Sequence, residues 1–329
     1  MLKTYAAART GVAFFDNRRE GRFRISGPDH AALNELVSVD LDLLDPYAGV
    51  VGLVTQPDTQ LVAIVLILRG EDDFYIFTER ERADALHAHL VERLADSGME
   101  VEDLRQSHDW FAIVGPLAQD VMVEAGGEDV LGLPYLSYED NSRLGCQLFR
   151  VGFTGEFEYR FLVPKAHADQ LRADLEKAGA ASSMIQGDVD ALDVLFLEVR
   201  FPIHSDVGFA GNLLEAGLHW MINFRKPNLV GGEILNEQKG SLRRRGLMIR
   251  LDDAGKAKGG DPLLIEGEEV GVLARVANSP TLGADIGLAY VNADVGWVGV
   301  SFDVAGAGGP AVAMGISAPT VLTHSVYTS

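Results

Sequence analysis

Cysteine is almost missing from this 329-residue chain, with Cys146 the only one. That excludes an intrachain disulfide and a thiolate metal cluster. A lone cysteine of this kind is expected as a small buried hydrophobe. No apolar run reaches the roughly 18 residues at which a segment reads as a bilayer span. The opening residues, Met1-Leu2-Lys3-Thr4-Tyr5, lack the basic-then-apolar layout of a secretory signal, so a cytoplasmic location is expected. Positive charge is also scarce: 28 Lys and Arg stand against 48 Asp and Glu, a formal net charge of −20. Such a field repels nucleic acid phosphates and anionic membrane surfaces, so neither is expected as a partner. The one basic run, Arg243-Arg244-Arg245, is too short to reverse that. It reads either as a solvated strand start or as a local anion site.

Several familiar catalytic patterns are absent too. Glycine-rich stretches such as 126–130 and 258–262 are turns, because none leads into a helix with phosphate-loop spacing. There is no nucleophile elbow and no suggested Cys–His pair. His87 and His89 lie two apart on an expected helix and point different ways, a poor metal pair. No metal site is expected.

What is present fits a well-cored enzyme, with 47% hydrophobic residues and a length that suggests about two or three domains. Residues 22–26 alternate as a strand, and Gly27-Pro28-Asp29 breaks it before a helix over about 30–38. The continuous apolar run 61–68 suits a strand buried on both faces. A turn at 71–73 leads to a hairpin partner at 74–77. Residues 79–96 form an amphipathic helix with Ala83, Leu86, Leu90 and Leu94 on one face. A strand over 110–115 precedes a helix over 117–125, and a further helix spans 166–178. Residues 195–199 read as another strand. From about 246 onward, short strands separated by Gly, Asp and Asn suggest a β-barrel or sandwich.

The most informative stretch is 148–164, a strand, a kink at Gly152-Phe153-Thr154-Gly155-Glu156, and a second strand ending at Pro164. The two glycines permit a bulge or a close backbone approach to a ligand. Glu156, Glu158 and Arg160 fall at i, i+2 and i+4, which on a regular strand is one face. One reading is an edge strand with a solvated charged face. The other is a set of ionisable groups that are used or paired, because burying them otherwise is costly.

This stretch, residues 215–240 and residues 278–291 together closely resemble the folate-dependent aminomethyltransferase family. That family comprises the T-protein of the glycine cleavage system and its relatives. Among those relatives are tetrahydrofolate-dependent demethylases of sulfonium compounds and aryl methyl ethers, and folate-binding iron–sulfur maintenance proteins. Residues 11–36 look like the family's opening strand, turn and helix, and residues 111–122 like its second Gly-Pro junction. No single motif is unique, but their order and spacing cover nearly the whole chain. The resemblance implies an α+β fold of three domains around a central channel: two mixed α/β domains with ferredoxin-like units, plus a C-terminal β-barrel. It places a discontinuous folate-binding domain at 1–45 and 135–240, an inserted domain at 46–134, and the barrel at 241–329.

The same resemblance implies tetrahydrofolate as cofactor and a small methylated donor as substrate, but several positions depart from the family's pattern. The family's aspartate pair falls on Ala63 and Ile64, neither of which can accept a proton. Its asparagine falls on Gln56, its tyrosine before the Thr-Gly-Glu on Phe153, and its first glutamate on Glu156. The second glutamate, which takes the donor edge of the pterin, falls on Arg160. An arginine has no acceptor, whereas a carboxylate takes such an edge in a fork. Glu158, two residues away, would supply the missing carboxylate after a small shift; the alternative is a weak Glu158–Arg160 surface pair. The family's arginine in the 195–198 segment falls on Phe196, with Glu198 kept. Trp220, Arg225 and Lys226 match a segment that borders the folate, Trp220 for stacking and the cations for the glutamate tail. Without the aspartate pair, aminomethyl transfer is disfavoured. A methyl on a sulfonium or an activated oxygen needs mainly alignment and a proton for the leaving group. His204 and Tyr135 are the expected proton donors, with Tyr138 and His219 behind them. The implied function is a tetrahydrofolate-dependent one-carbon transferase that demethylates a small substrate. The alternatives are the same fold acting on a non-folate ligand and a non-catalytic folate-binding protein.

Overall fold

A computed structural model describes residues 1–252, 255–306 and 308–326. They form two units. The first is built from Met1–Val189, Met221–Val230 and the terminal residues from Thr323; the second from Asp190–Trp220 and Gly231–Leu322.

The first unit runs α1 (Leu2–Thr10), β1 (Ala13–Asp16), β2 (Gly21–Ser26), α2 (Ala31–Leu36), β3 (Gly49–Thr55), β4 (Leu61–Arg69), β5 (Asp73–Thr78), α3 (Ala83–Leu94) and β6 (Glu100–Asp103). It continues through β7 (His108–Val114), α4 (Ala118–Gly126), β8 (Ser137–Asn141), β9 (Cys146–Arg150), β10 (Glu158–Pro164), α5 (Lys165–Gly179) and β11 (Ile185–Gln186). These strands make two sheets. One has the order β11-β1-β7-β10-β9-β8, the other β3-β4-β5-β2-β6. Consecutive strands β1 and β2 therefore enter different sheets. Each sheet covers one face with helices. Phe111, Ile113, Tyr159 and Phe161 pack with Val121 of α4 and Leu171 and Leu175 of α5. Ile25, Val65, Ile67 and Ile76 pack with Leu33 of α2 and Leu86, Leu90 and Leu94 of α3. The other faces meet through aromatic rings: Phe77 of β5 stacks on Trp110 of β7 with centroids 4.3 Å apart, and Phe149 of β9 meets both edge-on. The seven residues Val62–Leu68 inside β4 are all buried, as a continuous apolar run requires.

The second unit contains α6 (Ala191–Glu198), α7 (His204–Val207) and α8 (Gly232–Gln238). Its strands are β12 (Arg244–Leu251), β13 (Pro262–Ile265), β14 (Glu268–Ser279), β15 (Ala284–Asn292), β16 (Ser301–Gly306) and β17 (Gly309–Ile316). The six strands close into a barrel in the order β12-β15-β14-β13-β16-β17 around Leu247, Ile249, Leu273, Val291, Phe302 and Ala313.

Two expectations about secondary structure need correction. Residues 195–199 are not a strand, because Leu195–Glu198 complete helix α6. A short apolar run does not distinguish a buried helix from a strand by period. Here Ala, Leu and Glu favour the helix, which stops before Arg200, a residue in the left-handed region at φ 58°. Strand β10 is also not an edge strand, since it pairs with β7 on one side and β9 on the other.

Candidate functional site

The link between β9 and β10 carries the Gly152–Glu156 motif. Gly155 sits at φ 82°, where a side chain would be strained. Gly152 is needed for a different reason: a Cβ there would lie 2.3 Å from the Cβ of Glu158. The close approach that Gly152 permits is thus to Glu158 of the chain itself.

Glu156 does not share a strand face with Glu158 and Arg160, because it precedes the start of β10. Its carboxylate is closed off within the fold. Oε1 accepts from Arg9 Nη1 at 3.2 Å and from the backbone N–H of His324 at 3.1 Å. Oε2 accepts from the backbone N–H and the hydroxyl of Ser325 at 2.9 and 2.7 Å. Arg9 also donates to the Thr154 carbonyl at 2.8 Å. Four donors fill the usual capacity of a carboxylate, and the Glu156 side chain is 0% exposed. It fastens α1, the motif and the terminal turn together. Arg9 went unnoticed in the sequence because it lies 147 residues from Glu156, and no local pattern links the two.

Glu158 and Arg160 do share a face, but not as a surface pair. Arg160 Nε donates to Glu158 Oε1 at 2.6 Å, with the two side chains 6% and 1% exposed. Phe153 N–H donates to Glu158 Oε2 at 3.3 Å. Burial pushes the Glu158 carboxyl up, while Arg160 pulls it down. Arg160 stays protonated, held by Glu158 and by Glu20. Its Nη1 donates to Glu20 Oε2 at 3.0 Å, and Trp110 Nε1 donates to the same oxygen at 2.9 Å. The guanidinium carbon lies 5.7 Å from the Trp110 ring centre and 5.8 Å from that of Phe153. Sequence reading also passed over Glu20, whose charged turn at 16–21 carries no periodic signal.

The remaining expected residues of this unit fall as follows. The Tyr135 hydroxyl donates to the Gly152 carbonyl at 2.7 Å, and the residue is exposed. Gln56 is half-buried, with its amide 3.5 Å from His89 Nδ1. Ala63 and Ile64 are buried in β4. Arg225 is exposed. Lys226 is buried and donates to the carbonyl oxygens of Asn34, Val37 and Val39, the last two at 2.6 and 2.9 Å. Burial pushes its ammonium down to about 8, with Asp40, Glu35 and Asp42 pulling the other way. Tyr138 is packed among Tyr47, Tyr75 and Phe149, and burial drives its phenol far up. Cys146 is buried, its thiol pushed up to about 12. A cavity of about 400 Å³ is lined by Arg24, Tyr75, His108, Cys146 and Gln147 among others, and by none of the motif residues.

In the second unit, Phe196 is half-buried on α6 with its ring 5.6 Å from that of Phe201. Glu198 is fully buried and accepts from Ser279 of β14 at 2.6 Å. His204 opens α7, which Asp206 ties to Arg275 of β14 at 3.0 Å. Trp220 and His219 are both exposed.

Residues 2–226 match the GCVT N-terminal domain and residues 243–321 the glycine cleavage T-protein C-terminal barrel domain. An aminomethyltransferase of Moorella thermoacetica is 27% identical over 299 residues, 89% of this chain and 82% of the relative. One of Mycobacterium bovis is 28% identical over 302 residues, 89% of this chain and 81% of the relative. The crystal structure of the glycine cleavage system aminomethyltransferase T from Bartonella henselae superposes with a TM-score of 0.88 at 20% identity, covering 97% of this chain and 89% of that one.

Proposed function

This chain belongs to the glycine cleavage T-protein family, and on that premise we propose that it is a tetrahydrofolate-dependent one-carbon transferase that demethylates a small methylated donor. The observation that carries the choice of donor is at Ala63 and Ile64. Both are buried apolar residues of β4, so the positions that the resemblance gives to an aspartate pair offer nothing to orient or deprotonate an amine. A methyl group on a sulfonium or an activated oxygen makes no such demand. It needs alignment and a proton for the leaving group, and Tyr135, exposed with its hydroxyl beside the motif, is the donor this reading uses.

The residues named for the pterin's donor edge do not fit it as they stand. Arg160 has no acceptor. Glu156 is saturated by four internal donors. Glu158 is closed, with one oxygen on Arg160 and the other on the Phe153 N–H. Tetrahydrofolate therefore enters this reading through family membership, and its recognition requires an acceptor other than these.

The test is calorimetric titration with tetrahydrofolate, followed by chromatographic detection of 5-methyltetrahydrofolate from sulfonium and methoxy-aromatic donors. Micromolar affinity, about −8 kcal/mol, with product from at least one donor, is expected. Tyr135→Phe should then lower kcat with little change in KM, and His204→Gln in the same assay tests the other expected proton donor. Absence of both binding and product would leave the family membership describing the fold alone.

A further inference from the structure

We infer that Glu20, and not a residue of β10, is the carboxylate that recognises the N–H donor edge of this protein's ligand, with Arg160 and Trp110 as its positioning residues. The inference rests on the functional reading above, in which a pterin supplies that edge.

Four features of the first unit support it. Glu20 is held from behind: its Oε2 accepts from Arg160 Nη1 and Trp110 Nε1. Both donors are themselves fixed. Trp110 is fully buried and stacked on Phe77, and Arg160 is gripped by Glu158 at 2.6 Å. The backbone of Glu20 is pinned as well. Its N–H donates to the Asn17 carbonyl at 2.9 Å, and its carbonyl accepts from buried Arg22 Nη1, also at 2.9 Å. Arg22 in turn reaches the His108 carbonyl at the start of β7.

The other Glu20 oxygen is different. Two donors occupy Oε2, and no donor among the described residues reaches Oε1. The side chain is 23% exposed, against 1% for Glu158. An oxygen with two acceptor sites thus faces outward on a side chain that has little freedom to lose on binding. The accessible end of the cluster is the Glu20 carboxylate. The chemistry it selects is a cationic or amidine-type N–H donor, as in the 2-amino pyrimidinone edge of a pterin or in a guanidinium compound. Arg160 has taken the strand position that the resemblance gives to a glutamate, and the acceptor stands one residue outward on the arginine's far side.

The experiment uses the full chain and its Glu20→Gln and Trp110→Phe variants, titrated with tetrahydrofolate, with a tetrahydropterin whose 2-amino group is replaced by methyl, and with methylguanidine. Losing one charge-assisted hydrogen bond should weaken tetrahydrofolate about 10- to 100-fold in Glu20→Gln, and less in Trp110→Phe, which only frees the carboxylate. The Glu20→Gln loss should vanish for the 2-methyl pterin, a non-additivity that a merely structural defect would not produce. Carbodiimide labelling of the unaltered protein reads the same contact without a variant: Glu20 should be labelled, and tetrahydrofolate should protect it.

If tetrahydrofolate binds and neither Glu20→Gln nor the labelling responds, the Glu20 assignment is overturned while the folate reading stands. If tetrahydrofolate does not bind, the folate reading falls and methylguanidine decides. Binding that Glu20→Gln abolishes keeps the assignment, and no binding ends it.

Discussion

Glu156 and Glu20 are both carboxylates held by an arginine in the first unit, and they differ in what their remaining acceptor sites meet. Glu156 accepts from Arg9, His324 and Ser325 until both oxygens are filled. Glu20 is filled on one oxygen only. The first is built as a fastener and the second as a handle. The difference shows that an acidic residue within a glycine-rich motif can belong to the scaffold, while a carboxylate with an unfilled oxygen sits on a turn far from that motif in the chain.

The comparison breaks most visibly at Glu156. Replacing it with alanine removes the buried acceptor of four donors, from Arg9, His324 and Ser325, and should cost about 3 kcal/mol, read as a lowered urea midpoint. Glu20→Ala should cost about 1 kcal/mol, since Arg160 keeps Glu158 and only the Trp110 N–H and one Arg160 N–H lose a partner. Equal losses for the two would erase the distinction.

Arg160→Ala should sit close behind Glu156→Ala at neutral pH, because Glu158 is then buried without its cation. Its pH dependence has a definite sign. Burial already pushes the Glu158 carboxyl up, and without Arg160 nothing of comparable strength opposes that rise. The folded variant then holds a proton that the unfolded chain releases near its ordinary value of about 4.3. Its stability relative to the unaltered protein should therefore fall as pH rises from about 4 toward 7 and recover on acidification. A deficit that is flat across that range would place Glu158 in contact with solvent after all.

Lys226→Met tests a second fastener. Its ammonium joins the backbone carbonyls of Asn34, Val37 and Val39, so its loss should cost about 2 kcal/mol. Arg225→Ala, at an exposed neighbour, should stay within about 0.5 kcal/mol. If Lys226→Met left stability unchanged and weakened tetrahydrofolate instead, Lys226 would move from scaffold to ligand contact.

Much of the architecture was legible in the chain. The apolar run of β4, the single apolar face of α3 and the turn-punctuated strands of the barrel each carry their own period or its absence. Helix α6 was misread at 195–199 because a short run of Leu, Phe and Val does not separate a helix from a strand. The site was legible only in part. Phe153, Glu158 and Arg160 stood out because they sit within one short motif. Arg9 and Glu20 did not, because each meets the motif from more than 130 residues away.

Sequence by itself determined most of the element types, through periodicity, and the family, through the order and spacing of its motifs. Both are read along the chain without knowing what packs against what. Only the tertiary structure decided which carboxylates are sealed and which one stays open, because hydrogen-bond saturation and burial depend on groups brought together from distant parts of the chain. A glutamate's capacity is the same everywhere in the sequence; what fills it is settled by packing.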